Sequence, residues 1–478
     1  MTRISALRHP HAIRACALAV TLALGCAQAA TAHAENLMDA YHQALQSDPV
    51  LKQAEAQNRI GQAGSAISLA PLLPQLNGQV SLNGSHGSQY DSQMVTFANG
   101  NTGFLTAQGS SGMLRSRSES VGLNQVIFDL GQFETWRASK ANARATESQY
   151  TAAQQDLLLR VAQAYFTVLN DEDQLKYAQA NQDSLKKQLD QAQAKYDVGF
   201  AAITDVADAK ASYDTARAQV ISARDTLFND QQALAQITGQ PTPALAVLTD
   251  NLPLNPPEPD DMAEWVKTAL ASNPSLQAQR DLVESAQHDV TAAHAAHLPT
   301  LGASVSYSRN PSWGPGNISM AGLPSNVTNV LRDDSQRNDT TVGLVLTVPL
   351  FQGGGIIARE RQAIAQRDQA DDVLEQNRRT VVSNTRNAFN AIEAGVSQVE
   401  AQKAAVASAK TALKATQAGY DIGTQTIVNL LIAQSTYFQA LSAYSAARHA
   451  LVVNRLNLKY AAGTLSVKDL ETVNGLLQ

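Results

Sequence analysis

Histidines are the first side chains in this chain that could do chemistry. His294-Ala295-Ala296-His297 sets two imidazoles three residues apart, and His288 lies a turn or two upstream. That spacing suits two ligands of a divalent metal, which would still need an acid or a cysteine to complete the set. No acid or cysteine completes such a site, so the histidines read as a solvated helix face. The acid groups Asp171-Glu172-Asp173 and Asp333-Asp334 read as solvated faces or loops. Gly353-Gly354-Gly355 could cradle a phosphate through its amides, but no Lys-Ser/Thr follows it. A nucleophile elbow and an HExxH helix are also missing. The chain is therefore expected to be no enzyme and to carry no cofactor or metal.

The start of the chain has an export pattern. Arg3, Arg8 and Arg14 precede the apolar run Ala15–Ala23, and Ala32-His33-Ala34 offers small residues where a signal peptidase reads. Residues 1–34 are expected to be a signal peptide, with Glu35 the mature start. Lipidation at Cys26 is the rival, but Ala23-Leu24-Gly25-Cys26 has Leu where a small residue is wanted. Losing three arginines takes the net charge from −6 to −9, which argues against nucleic acid as a partner. Cys16 and Cys26 both fall in the leader, so the mature chain has no disulfide or thiolate site. No mature segment approaches 18 consecutive apolar residues, so a transmembrane helix is not on offer.

The mature chain is a duplication. Ala44-Leu45-Gln46-Ser47-Asp48-Pro49 returns as Ala269-Leu270-Ala271-Ser272-Asn273-Pro274. Leu73-Pro74-Gln75-Leu76 returns as Leu298-Pro299-Thr300-Leu301, and Val121-Gly122-Leu123 as Val342-Gly343-Leu344. Tyr196-Asp197-Val198-Gly199 returns as Tyr420-Asp421-Ile422-Gly423, and Ile237-Thr238-Gly239 as Ala461-Ala462-Gly463. Landmarks in one order at a nearly constant offset mark two copies of one unit.

The first copy, 35–260, reads as a helix 37–69, strands 77–86 and 116–128 around an outer loop 87–115, long helices 132–195 and 202–238, and a Pro-rich linker 240–260. The second, 261–478, reads as a helix 261–296, strands 302–309 and 339–350 around an outer loop 310–338, long helices 354–418 and 425–461, and a tail 463–478. The strands rest on period-two alternation, such as Val342, Leu344, Leu346 and Val348 against Thr341, Gly343, Val345 and Thr347. The loops rest on Gly, Ser and Asn content.

The long helices carry a heptad. Val161, Ala164, Val168, Asp171, Leu175, Ala178, Gln182, Leu185, Leu189, Ala192 and Tyr196 form one seam, and Thr385 to Tyr420 repeats the register. A seven-residue repeat specifies a left-handed supercoil. The 132–195 helix is free of Pro and Gly, and at 1.5 Å per residue it makes a rod of roughly 100 Å.

Four strands cannot close a barrel, since about eight is the practical minimum. In lipid, an open sheet would leave edge N–H and C=O groups unpaired at several kcal/mol each. If these strands enter a membrane, several chains must share one barrel. The fold expected is α+β: two tandem repeats giving four strands per chain to a shared β-barrel, with long coiled-coil helices.

The sequence resembles the TolC family of outer-membrane factors over essentially the whole mature chain. The resemblance is carried by Glu35-Asn36-Leu37-Met38, Pro71-Leu72-Leu73-Pro74-Gln75-Leu76 and the tip from Val198-Gly199-Phe200 to Val206. Gly423-Thr424-Gln425-Thr426-Ile427-Val428 and Val348-Pro349-Leu350-Phe351-Gln352-Gly353-Gly354 add to it. The resemblance implies a homotrimer with a twelve-stranded barrel in outer-membrane lipid, an α-helical barrel in the periplasm, and an equatorial belt from the 240–260 linker and the C-terminal tail. It implies export of drugs, bile salts or unfolded protein, as in tripartite efflux or type I secretion, with a periplasmic adaptor and an inner-membrane pump as partners.

The resemblance also implies an iris-like periplasmic gate at the helix tips. Tyr420, Asp205 and Thr204 match gate positions, and so does Gln188, whose usual Glu partner is Gln417 here. The Arg that joins protomers in the family is Gln425, and the two Asp that ring the constriction are Asn429 and Ile432. Val198, Gly199, Phe200, Ile422, Gly423 and Thr424 match adaptor-contact positions, while the two glycines also suit a tight turn at φ > 0. The competing reading is a periplasmic coiled-coil adaptor or stalk, which would have one hairpin rather than two equal units.

Overall fold

The structure, a computed structural model, describes residues 34–96, 100–249, 252–317, 319–320, 330–332 and 335–478. The expected signal peptide, except Ala34, lies outside the described residues, and so do Asp333 and Asp334. In chain order the elements are α1 (Leu37–Ser47), α2 (Pro49–Leu69), a 3-10 turn (Ala70–Leu72), β1 (Gln75–Thr96), β2 (Thr102–Phe128), α3 (Leu130–Asp197) and α4 (Ile203–Thr238). Then come α5 (Met262–Ser272), α6 (Pro274–Ala295), β3 (Thr300–Trp313), β4 (Pro315–Asn317), β5 (Ser319–Met320), β6 (Val330–Arg332), β7 (Ser335–Thr347), α7 (Gly355–Asp421), α8 (Ile427–Ala461) and α9 (Val467–Asn474). No helix among the described residues is long and apolar enough to cross a membrane.

The compact units are not the repeats. One takes the chain up to Gln53, Thr151–Asn273 and Thr380–Gln478, and the other takes Ala54–Tyr150 and Pro274–Arg379. Each unit draws on both copies.

The helix expected at 37–69 is two helices, and so is that at 261–296. The break falls at Asp48-Pro49 and Asn273-Pro274. Proline pushes the residue before it out of the α region, while itself fitting the first helical position. Asp48 and Asn273 then cap backwards, each through its N–H to the carbonyl four residues earlier, Ala44 at 2.8 Å and Ala269 at 3.0 Å.

The second unit holds an antiparallel sheet in the order β1-β2-β3-β7, with β5 also on β2. Its middle pairing, β2 with β3, joins the hairpins of the two copies. Register makes the faces explicit. Leu76 pairs Leu123, Leu123 pairs Val305, and Val305 pairs Val342, so one row is wholly apolar. The next row is Asn77, Gly122, Ser306 and Thr341. Leu76, Val80, Leu82, Val121, Tyr307, Leu344 and Leu346 are exposed on the apolar face. Among the described residues no strand pairs with the outer edges of β1 and β7.

The loop expected at 87–115 is largely strand. The β1–β2 ladder runs to Thr96 opposite Thr102, with one register shift between Gly87 and Gln89. Backbone pairing needs no apolar side chains, so the Gly/Ser/Gln composition hid it. β3 likewise outruns its expected end at 309, reaching Trp313, and short strands β4, β5 and β6 occupy part of the expected 310–338 loop. β7 starts at Ser335 and stops at Thr347, short of 350, where Val348-Pro349 ends the ladder.

The first unit is helical. The heptad seam is its buried side: Val161, Val168, Asp171, Leu185 and Ala192 on α3 are buried, as are Thr385, Ala388, Ile392 and Val399 on α7. Among seam residues only Tyr196 is exposed. A Cβ on Gly395 would meet Leu451 Cδ1 at 3.2 Å, so a glycine lets α7 approach α8 closely. The linker and the tail meet. Leu248 bridges Leu477, Val247 and Gln478 exchange backbone hydrogen bonds at 3.1 and 2.9 Å, and Glu35 bridges Leu245. The Tyr165 hydroxyl lies 2.9 Å from both the Glu35 and Ala246 carbonyls, tying this belt to α3.

Candidate functional site: the helix tips

Both long helices end in the same turn. Gly199 at φ 83° and Gly423 at φ 79° take the left-handed region that favours glycine. At the first tip Gly199 N donates to Tyr196 O at 2.9 Å and Phe200 N to Lys195 O at 2.8 Å. At the second, Gly423 N donates to Tyr420 O at 3.1 Å and Thr424 N to Gly419 O at 2.8 Å. These paired bonds satisfy carbonyls that a bare helix end leaves open. The return helices are capped locally. The Asp205 carboxylate accepts from Ala202 N at 3.4 Å, and Thr426 Oγ1 accepts from Asn429 N at 3.3 Å.

Behind the turns the helices share a small core. Leu185 and Ala192 of α3, Val206, Ala209 and Ala216 of α4, and Ile427 and Leu431 of α8 are buried together, with Leu189, Tyr213 and Tyr420 packed against them. A hydrogen bond crosses between α3 and α7 here: Gln188 Nε2 donates to Gln417 Oε1 at 3.3 Å, while Gln417 Nε2 donates within α7 to Asp421 at 3.0 Å. Lys195 Nζ sits 4.1 Å from the Tyr420 ring centroid. The Asn429 amide donates to Gln425 Oε1 at 2.9 Å.

The structure thus brings together Gln188 with Gln417, and Gln425 with Asn429. It gives Asp205 a capping role and leaves Thr204 and Ile432 exposed on α4 and α8. Val198, Phe200 and Ile422 project from the turns as exposed apolar side chains, Phe200 at 84%. Sequence reading missed Lys195, because a cation over a ring comes from helix packing and has no motif. It also missed the Thr426 cap, although Thr just before the apolar pair Ile427-Val428 is a readable helix start.

Further up the helices, Asp171 is buried, and burial with a hydrogen bond and like charge from Asp230 pushes its carboxyl up to about 7. His449 is buried on α8, and burial lowers its imidazole to about 4 against the opposing pull of Asp173. Neither group sits at a tip turn.

The histidines are engaged rather than simply solvated. His288 Nδ1 lies 2.6 Å from Glu134. His294 Nδ1 lies 3.0 Å from Glu360 Oε1, and His297 Nε2 lies 3.8 Å from Glu360 Oε2. Glu360 therefore splits its two oxygens between two rings, and among the described residues no three such groups converge as a metal site. The acid comes from α7, distant in sequence, so spacing around His294 could not reveal it.

Comparison with known proteins agrees with this architecture. Residues 40–240 and 265–464 match the outer membrane efflux protein family, one match in each repeat. The chain is 36% identical over 449 residues to the outer membrane protein TolC of Escherichia coli (strain K12), covering 93% of this chain and 85% of that one. It is 28% identical to the alkaline protease secretion protein AprF of Pseudomonas aeruginosa, covering 92% and 87%. The fold matches the Campylobacter jejuni CmeC outer membrane channel with a TM-score of 0.70 at 19% identity, covering 93% of this chain and 90% of that one. The chain belongs to the outer membrane efflux protein family, and is an outer-membrane exit duct rather than an enzyme.

Proposed function

We propose that three copies of this chain assemble into one duct that passes substrates across the outer membrane without changing them. The observation that carries this is the sheet: four long strands with the short β5 on β2, both edges open among the described residues, one face apolar and exposed, the other lined by Ser, Asn, Gln and Thr. Such a sheet meets lipid on one side and water on the other only inside a closed cylinder. Three chains supply twelve strands, within the range of such barrels. Residues 1–34 are the export leader in this reading.

The helix tips form the periplasmic gate, through Gln188, Gln417, Tyr420, Gln425, Asn429, Ile432, Thr204 and Asp205. The exposed turn residues Val198, Gly199, Phe200, Ile422, Gly423 and Thr424 dock a periplasmic adaptor, which joins the duct to an inner-membrane pump. Exposed apolar side chains on glycine turns support that role. The matched family is named for efflux and one relative for protease secretion, so the cargo is drugs, secreted protein or both, with the choice made by the pump.

The test is the purified full-length particle in detergent. A trimeric mass and ion conductance in planar bilayers are expected. A monomer that does not conduct ends the reading. Deleting the gene, then measuring drug susceptibility and secreted protein together, separates the two cargo classes.

A further inference from the structure

On the apolar face of the sheet β1 stays apolar through Val80 and Leu82, while β2 and β3 turn to charge beside it. Val80 pairs Glu119 and Glu119 pairs Arg309, while Leu82 pairs Arg117. Two residues on, Arg115 stands opposite Trp313. Because the register fixes which side chains share a face, these charges lie on the same side as Leu76, Leu123 and Val305. Arg117 is 2.8 Å from Glu119, and Arg309 Nη2 donates to Gln336 Oε1 at 3.3 Å. Glu119 pairs with Arg117 alone of the three guanidiniums on this patch, so the patch keeps an excess of positive charge.

Its height is set by the strand. Arg117 is ten residues from Ile127 along β2. At about 3.4 Å per residue and a tilt near 40°, that is about 26 Å, close to the height of a barrel's lipid-facing band. The helix α3 leaves β2 at its other end, so the patch marks the rim away from the periplasm. Tyr307 and Trp313 lie beside it on the same face, as aromatic side chains do at a membrane–water boundary. The arginines sit on β2 and β3, the inner strands of the sheet, so pairing with a neighbouring chain at the β1 and β7 edges does not use them.

We propose that the Arg115–Arg117–Arg309 patch binds the phosphate groups of the glycolipid in the outer leaflet. This rests on the apolar face meeting lipid. Guanidinium forks match phosphate oxygens two at a time, which a lysine point charge does not. Glu119 tempers the patch and orients Arg117 between the rows.

The experiment uses the detergent-solubilised full-length particle and measures binding of a bis-phosphorylated lipid A-type glycolipid, its dephosphorylated form, and inorganic phosphate. The phosphorylated glycolipid is expected to bind at least about tenfold tighter than the dephosphorylated one, with the preference fading as salt rises. The combined change Arg115→Gln, Arg117→Gln and Arg309→Gln removes that preference. Glu119→Gln, which keeps every arginine, strengthens binding about threefold. Arg337→Gln, on the opposite face where Arg337 pairs Asp339 at 2.7 Å, leaves it unchanged. Equal binding of the two glycolipids, or no gain in Glu119→Gln, overturns the proposal. Inorganic phosphate binding as tightly as the glycolipid overturns the lipid assignment. Conductance measured on the same preparation separates this failure from failure of the duct: a conducting trimer without the preference sinks only the patch.

Discussion

Gln188 on α3 and Gln417 on α7 hold each other by one amide hydrogen bond of 3.3 Å, just behind the tip turns. Both partners are neutral. A neutral bond is worth about 0.5–1.5 kcal/mol and feels salt little, whereas a charged pair weakens as ions screen it. The resting state of this duct is therefore expected to hold its conductance, after correction for bulk conductivity, from about 0.1 to 1 M KCl. Gln417→Ala should loosen it by about 0.5–1.5 kcal/mol, seen as more frequent openings in single-channel records. A resting state that opens many-fold more often at high salt would contradict a neutral latch.

Asn429 and Ile432 bear on multivalent cations. The resemblance puts an acidic ring at these two positions, and this chain carries an amide and an exposed isoleucine there. An acidic ring in a narrow, low-dielectric passage concentrates multivalent cations, and a neutral ring does not. Block by multivalent cations is expected to be weak. A titration of single-channel conductance with a trivalent cation checks this, and submicromolar block would refute it. Asn429→Asp with Ile432→Asp should install strong block.

Much of this architecture could be read before any coordinates, for definite reasons. The seam from Val161 to Ala192 announces a buried stripe because every seventh position repeats, and the sheet faces announce themselves as Val342-Gly343-Leu344. What composition concealed were features fixed by backbone or by partners distant in sequence. The Asp48-Pro49 break looked like a repeat landmark and is also a helix start. The strand extension past Gly87 uses backbone bonds that any residue can make. Glu360 between His294 and His297, and Lys195 over Tyr420, join helices that the sequence does not place side by side. At the tips, the glycines were legible because their turn demands φ > 0, while the Gln188–Gln417 partnership needed the resemblance.

Glycine substitutions separate turn strain from packing. A Cβ at Gly199 or Gly423 would meet nothing within 4 Å, so Ala there costs only the left-handed backbone, about 1–2 kcal/mol. Gly463 has the same backbone sign at φ 72°, but its Cβ would lie 2.5 Å from Asn273 Cα and 2.8 Å from Ser272 O. Those are backbone atoms with no freedom to give way. Gly463→Ala is expected to lower the thermal midpoint far more than Gly199→Ala or to abolish assembly. Equal midpoints for the two would contradict the close approach of this turn to the α5–α6 break.

Asp171 and Asp48 should make stability respond to pH in opposite directions. Asp171 is raised to about 7 by burial first, then by Asp230. Between its ordinary value of 3.8 and about 7 the unfolded chain has lost this proton while the folded chain keeps it. Stability from this group is thus full below pH 3.8 and is lost as pH rises through about 7. Asp171→Asn cannot ionise, so it should raise the thermal midpoint at pH 8 and change it little at pH 4. A fall at pH 8 would mean that the ionised carboxylate is the stabilising form.

Asp48 is the reverse case. Burial pushes its carboxyl up, but two Arg160 donors at 2.9 and 3.2 Å and Leu51 N at 2.8 Å outweigh burial and leave it below 3.8. Its contribution is present above pH 3.8 and lost as pH falls through the lower folded value. Arg160→Ala would strand a carboxylate that is 2% exposed, where removing one partner of a buried pair costs about 3–5 kcal/mol. Asp48→Asn with Arg160→Ala should recover part of that loss, because Asn can still accept from Leu51 N without a buried charge. Chemical denaturation of the two variants at pH 7 decides it. If the double variant is no more stable than Arg160→Ala alone, the loss comes from Arg160's packing and its Nε hydrogen bond to Asp156 at 2.6 Å, and Asp48's stranded charge is not the cause.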